Sequence, residues 1–348
     1  MTFILFAFLL YCLVTAKYSK INEYNEEYLT KENTTAVNGI FVALVFMSHF
    51  SGYVDNFSNI DFVYLKFNRL LGECVVSTFL FYSGYGMMEQ IKKGKQQYLR
   101  KLITKRLPSL FIKFAICVLL YVILALVMNK ELSLKQILLS LIGYASVGNS
   151  AWYIFYMLFM YITIFLSFRF VATEKIAVII LFGITITYTV IMSFIKSDSP
   201  AYYLVSFVLP SGIIFSIYKE KITDLMKSYY VFCFIAFLII YAASFGIRHF
   251  LHLQGWAYSF TAICFMFVIL IISLKIKFKN VVLDFLGKYV FEIYILQRLP
   301  MIILKSLYIN FGCGGGQPYS YLIYFCCCLC ITIAIAVVTK YLFWKIKV

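Results

Sequence analysis

A chain of 348 residues that is 63% hydrophobic and only 13% charged is too apolar for a water-soluble globule, where about half the residues are apolar and a quarter charged. Its net charge of +16 would suggest a nucleic-acid partner in a soluble protein. Here, however, the basic residues lie in short segments between long apolar runs, which is membrane topology and excludes nucleic-acid binding as the reading.

Eleven runs approach or exceed the roughly 20 helical residues that a bilayer core requires: 2–16, 37–54, 70–88, 108–128, 150–171, 176–195, 200–217, 229–246, 256–274, 288–309 and 320–344. They predict an all-α polytopic helical bundle in the cell membrane. The first run is short but lacks the basic start and small-residue cleavage site of a signal peptide, so it reads as an anchor. Residues 1–35 are then a membrane anchor with a cytoplasmic linker, and 36–348 the membrane domain. Sorting Lys and Arg by the nearest face, with the N-terminus outside, puts 23 of the 31 inside and 8 outside. The positive-inside rule thus expects the N-terminus outside and the C-terminus in the cytoplasm. On that assignment Asn33, in an "NTT" triplet, lies on the wrong side for glycosylation. No fixed-period repeat appears, nor the inverted, Gly/Pro-broken helix pairs of many transporters.

The second run, "VNGIFVALVFMSHFSGYV", carries one ionisable group, His49, well inside it. At 100° per residue Asn38 lies about 20° from the same line and about 16 Å nearer the cytoplasm. An ionisable residue at membrane depth is costly and faces a polar cavity more often than lipid. A helix-packing histidine is the alternative. In the third run Glu73, Ser77 and Gly84 share a face, with Glu73 at a depth comparable to His49. Glu73 is either the carboxylate that orients the imidazole or an interfacial acid in water.

Residues 89–108, "EQIKKGKQQYLRKLITKRLP", hold seven Lys and Arg against one acid. Topology alone explains most of that charge. The functional reading is a clamp on donor phosphates, with Arg100 and Arg106 as its candidates, because a guanidinium matches phosphate geometry best. The tenth run, "GKYVFEIYILQRLP", carries Glu292, Tyr294, Gln297 and Arg298. Tyr294, Gln297 and Arg298 share a face, while Glu292 points elsewhere and should find another partner. Four such side chains at this depth predict a wet lining. His249 and His252 read as solvated loop residues. Cys326, Cys327, Cys328 and Cys330 crowd the eleventh run without metal-ligand spacing and read as small buried hydrophobes, so no metal is expected.

Taken in order, "NGIFVALVFMSHF", "FLFYSGYG", the segment ending "KRLP", "AWYIFYMLFMY" and "GKYVFEIYILQ" resemble the acyltransferase-3 family of bacterial membrane O-acyltransferases. The likeness spans about residues 36–344 and implies a ten-helix core, with the first run as an addition. It matches His49 to the family's essential His and implies a cytoplasmic acyl-CoA co-substrate, acetyl-CoA being expected, with no bound cofactor. Asn38 stands where the family has an Arg eleven residues before that His, and Gln297 where many members have a His. Ser83 and Tyr85 match a Ser-Gly-Tyr stretch, and Arg106 a basic residue before Pro. Trp152, Tyr294, Gln297, Arg298 and Glu292 join Ser83 and Tyr85 as the expected cavity and acceptor set.

The resemblance and the chemistry agree on transfer to a hydroxyl: a thioester is already activated, so what remains is to remove a proton and to stabilise an oxyanion. His49 serves as the base or as an acyl-carrying relay, and Glu73 as its orienter. The expected acceptor is an envelope polysaccharide or its lipid-linked precursor, with membrane lipids and other polysaccharide-assembly proteins as further partners. The alternative function is a polysaccharide translocase without acyl-transfer chemistry.

Overall fold

In a bilayer every backbone amide needs a partner within its own segment, and this chain meets that demand with helix over about 80% of its length. The computed structural model describes residues 1–55, 57–252, 255–310 and 318–347, with the side chains of 73, 308–310 and 318–320 outside the description. In chain order the helices are α1 (Thr2–Val14), α2 (Lys31–Ser51), α3 (Phe62–Leu71), α4 (Ser77–Lys101), α5 (Leu107–Val127), α6 (Leu134–Leu141), α7 (Trp152–Arg169) and α8 (Glu174–Ile195). There follow α9 (Val208–Ile217), α10 (Lys219–Ser228), α11 (Tyr230–Phe250), α12 (Trp256–Lys275), α13 (Val281–Lys288), α14 (Val290–Leu296), α15 (Arg298–Asn310) and α16 (Pro318–Lys345).

Among the described residues, seven helical units are long and apolar enough to cross a membrane. This is a multi-pass membrane protein. One unit, Cys74–Val127, contains two of the expected runs, joined by a π-helical turn at Leu102–Arg106 just before Pro108. Pro108 has no N–H to give the preceding turn, and the ladder widens there. Three other expected runs depart from single long helices. The first is only the 13 residues of α1, and the seventh is a 3-10 turn at Pro200–Tyr202 followed by the ten residues of α9. The tenth is broken between α14 and α15 at Gln297. Pro300 cannot donate to the carbonyl four residues earlier, which releases the helix at that point.

Glycines set the closest helix approaches. A Cβ on Gly39 of α2 would lie 2.1 Å from the Leu283 carbonyl oxygen, and one on Gly287 1.9 Å from that of Thr35, so α2 and α13 touch backbone to backbone. Gly84 of α4 and Gly212 of α9 are locked reciprocally against the carbonyls of Leu209 and Phe81, at 2.1 and 2.2 Å. Lipid offers no hydrophobic drive between helices, so small residues that permit such contact supply the packing. Gly84 is therefore a packing residue, and the face it shares with Ser77 points at neighbouring helices. α2 and α12 are the most enclosed spans, with 61% and 67% of their central windows buried, against 11% for α11. α11 faces lipid. The cysteine run in α16 also departs from expectation: Cys328 is buried, but Cys326, Cys327 and Cys330 lie on the outer, lipid-facing surface.

Residues 17–31 are strapped onto the rest of the chain. Lys17–Tyr18 pairs antiparallel with Ile276–Lys277. The Lys275 ammonium donates to the carbonyls of Lys20, Ile21 and Glu23 at 3.0, 2.6 and 2.6 Å and lies 4.0 Å from the Tyr24 ring centroid. Lys277 pairs with Glu27 and, by hydrogen bond and charge, holds that carboxyl below its ordinary range.

The packing generates a paired test. Gly39→Ala and Gly84→Ala should each lower thermal stability in detergent by about 1–3 kcal/mol, the usual cost of overpacking. Gly86→Ala and Gly183→Ala, whose added methyls meet nothing within 4 Å, should leave the melting temperature unchanged or raise it. Equal behaviour of the two pairs in a thermal-shift assay would show that the glycines do not set these contacts.

Candidate active site

Three polar cavities are strung along α7, whose 18 residues span about 27 Å. At its N-terminal end an open vestibule of about 310 Å³ is lined by Ser146, Asn149, Ser150, Trp152, Tyr202 and Arg298, among others. In the middle, Tyr153, Ile154, Met157 and Tyr161 wall a cavity of about 240 Å³ that also takes in Asn38, Ser83 and Tyr294. At the C-terminal end, Arg100 and Arg169 face a pocket of about 360 Å³ with Gln96, Ile103, Thr104 and Phe165.

His49 lies where α2 meets the break between α14 and α15. Its Nδ1 is 2.8 Å from Nε2 of Gln297, and its ring is 6.0 Å from that of Tyr294, which in turn lies 5.3 Å from Tyr153 of the central cavity. The same amide nitrogen of Gln297 is 3.0 Å from the Tyr294 carbonyl oxygen, an acceptor that tolerates only a donor. That contact assigns the amide, since a half-turn would set two oxygens against each other. Gln297 therefore donates to Nδ1, and a neutral His49 carries its proton on Nε2. Among the described residues Nε2 has no hydrogen-bond partner, which leaves it available to a substrate.

The other expected residues divide by location. Asn38, Ser83 and Tyr294 meet in the central cavity, where the Asn38 side-chain oxygen is buried without a partner and Tyr153 lies on the same wall. Trp152 and Arg298 face the vestibule. Tyr85 turns to the other side of α4, its ring 6.1 Å from Phe215 of α9, and does not line the central cavity. Glu292 finds its separate partner in Lys340 of α16, at 3.9 Å. Arg100 and Arg106 are not brought together. Arg106 donates to the Tyr98 hydroxyl at 3.1 Å and stacks on that ring. The side chain of Glu73, expected to orient His49, lies outside the described residues. Among the described residues no three His, Cys, Asp or Glu side chains converge on a common point.

Sequence reasoning does not single out Asn149 or Ser150, which flank the start of the fifth run, and it takes Arg169 as topology. It also misses Tyr153 and Tyr161, hidden in an aromatic run. Their one sequence signal is that "NSAWYIFYMLFMY" sets polar or phenolic groups at the near end and along one side of a helix that otherwise reads as apolar.

With this geometry established, comparison with known proteins decides the family. The family model described as an acyltransferase domain matches residues 36–341. The chain belongs to the acyltransferase-3 family. It is thus a multi-pass membrane acyltransferase. No curated protein and no solved structure matches it.

The assigned hydrogen bond is measurable. With ¹⁵N-labelled histidine, the His49 signal, identified by its loss in His49→Ala, should show an unprotonated Nδ1 and a protonated Nε2 near neutral pH. Gln297→Glu puts an acceptor against Nδ1 and should reverse the two assignments. The same tautomer in both proteins would show that residue 297 does not set it.

Proposed function

We propose that this acyltransferase moves an acyl group, acetyl being the expected one, from acyl-CoA in the cytoplasm to a hydroxyl of an envelope glycan or its lipid-linked precursor outside. The observation that carries this reading is the order of sites along α7: a two-arginine pocket, a central cavity, His49 at its edge, and an open polar vestibule. The basic pocket suits the phosphates of the donor, because Arg100 and Arg169 present paired guanidinium donors. The central cavity, lined by neutral residues, suits the uncharged arm and the thioester. In the transfer, the acceptor oxygen bonds to the thioester carbonyl carbon and the carbon–sulfur bond breaks. The hydroxyl proton passes through His49 to the departing thiolate.

Gln297 gates that proton. As held here, Nε2–H can donate to the thioester carbonyl oxygen and stabilise it as charge develops. To accept a proton, Nε2 must exchange tautomers, and a half-turn of the Gln297 amide supports this by presenting its oxygen to Nδ1–H. The turn gives up the bond to the Tyr294 carbonyl and costs about 1–3 kcal/mol. An acyl-histidine relay needs the same Nε2 lone pair and hence the same turn. A translocase reading is disfavoured, because the His49–Gln297 bond and the packed rings of Tyr294 and Tyr153 close the route to a chain of sugar rings.

The proposed orientation has eleven passes in the cytoplasmic membrane, with α1, α9 and the broken α14–α15 completing the seven long units. The N-terminus is outside and the C-terminus inside. Reporter fusions after Lys95 and Asp198 should read cytoplasm and exterior; reversal of both would invert the donor side.

In vesicles, His49→Ala should keep normal abundance and lose transfer by roughly 10²- to 10⁴-fold. Arg100→Lys and Arg169→Lys should each raise KM for acyl-CoA roughly tenfold with little change in kcat, since Lys keeps the charge and loses the fork. Lys93→Arg should change neither parameter. Unaltered KM in both Arg variants would remove the pocket from donor binding.

A further inference from the structure

We infer that the outer vestibule is an anion site, and that the acceptor it selects is a sugar bearing a carboxylate. This rests on the transfer reading above and specifies its acceptor. Three residues of the vestibule wall carry donors that no described residue satisfies. Asn149 and Ser150 are 2% and 4% exposed, and among the described residues Nδ2 of Asn149, Oγ of Ser150 and Nε of Arg298 are buried without a hydrogen-bond partner. All three residues line the same space.

The Asn149 amide cannot turn to offer its oxygen instead. Its Oδ1 accepts from the Val147 backbone N–H at 3.2 Å and from the Ser146 hydroxyl at 3.3 Å, which leaves the NH₂ free. Ser146 is itself braced, donating to the Asn149 carbonyl at 2.6 Å and accepting from the Gly148 N–H at 3.1 Å. The far wall is equally fixed. Tyr202 donates to the Gly143 carbonyl at 2.8 Å, and Lys196 donates to that of Tyr144 at 2.7 Å while lying over the Tyr144 ring. Lys196 is thus spent on the wall. These are donors held in place before any ligand arrives.

The charge points the same way. Arg298 forms no ion pair among the described residues, and its Nε is buried without a partner. A half-buried guanidinium without a counter-charge is costly, and an arriving carboxylate relieves that cost while matching its fork. The vestibule also opens onto the N-terminus of α7, where Ala151 supplies no side-chain cap and the first turn holds no acid. That positive end is left for a ligand. Trp152 at the same end offers an apolar face for a sugar ring. Neutral glycans bring no counter-charge, so unpartnered donors beside an unpaired cation favour a ligand that carries negative charge.

The test uses the full-length chain in lipid nanodiscs and three probes: a glucuronic-acid disaccharide, the same disaccharide with its carboxyl reduced, and glucose 1-phosphate. The acidic disaccharide should bind roughly 10- to 100-fold tighter than the reduced one, the range expected for a charge-assisted pair, and the gap should shrink with salt. Arg298→Gln should erase the gap. Asn149→Asp, which keeps the shape and adds repulsion, should reverse it. Equal binding of the two disaccharides to wild type overturns the inference, and tighter binding of glucose 1-phosphate replaces the carboxylate with a phosphate. Acyl transfer is read separately on the same samples. Transfer that ignores acceptor charge removes the anion site and spares the transfer reading. Acidic-sugar binding with no transfer to any acceptor does the opposite.

Discussion

The Gln297–His49 hydrogen bond joins the two elements on which the centre depends, the glycine-packed α2 and the broken α14–α15. Polar groups at membrane depth must be satisfied from within the chain, and each satisfied group limits what its partner can do. The helix is interrupted at Gln297, yet that residue keeps right-handed helical dihedrals, φ −57° and ψ −29°. One amide nitrogen there serves both the Tyr294 carbonyl and the imidazole. That shared contact decides which nitrogen of a neutral His49 carries the proton.

The close glycine contacts make that placement rigid. Gly39 lies ten residues before His49 on α2, and its contact with the Leu283 carbonyl fixes α2 against α13, which leads directly into α14. The same few residues thus set the depth of His49 and the start of the segment carrying Gln297. On the other flank, Gly84 and Gly212 clamp α4 to α9, and Ser83, adjacent to one of those glycines, is thereby held at the central cavity. Candidate site residues and packing glycines lie close together along these helices, and backbone contact nearby is what would hold a site in place in lipid.

Much of this was legible before any coordinates. Apolar run length located the helices, and the isolated His49 and the polar cluster at 292–298 marked the wet interior, because cost at membrane depth makes such residues informative. The two loci do meet in the structure. Less legible was anything that depends on helix rotation or on breaks. Tyr85 was grouped with Ser83 by proximity in sequence, yet two residues turn a helix by about 200°, and the structure puts the two on opposite sides of α4. Arg100 and Arg106, grouped by their shared charge, are six residues apart, which on any α-helix leaves them about 120° apart around the axis, and a π-helical turn runs between them. Asn149 and Ser150 carry no sequence signal of their own at the start of the fifth run; only burial without partners distinguishes them.

At two positions where the resemblance implies basic side chains, Asn38 and Gln297, this chain carries neutral amides. In the structure they occupy consecutive parts of one path, Asn38 in the central cavity and Gln297 on His49. The effect is to strip fixed charge from the middle of the route, where the central cavity is lined by amide, hydroxyl, phenol and apolar groups. Arginines remain at both ends, Arg100 and Arg169 on one side and Arg298 on the other. Coulomb energies grow as the local dielectric falls, so a cation in the central cavity would hold donor phosphates too deep and suppress protonation of His49. Under the proposed transfer, a neutral centre leaves an anionic donor and an anionic acceptor to be held at opposite ends of the route, with only uncharged groups approaching the imidazole. The amides at 38 and 297 then serve one end together: they keep fixed charge away from the proposed chemistry.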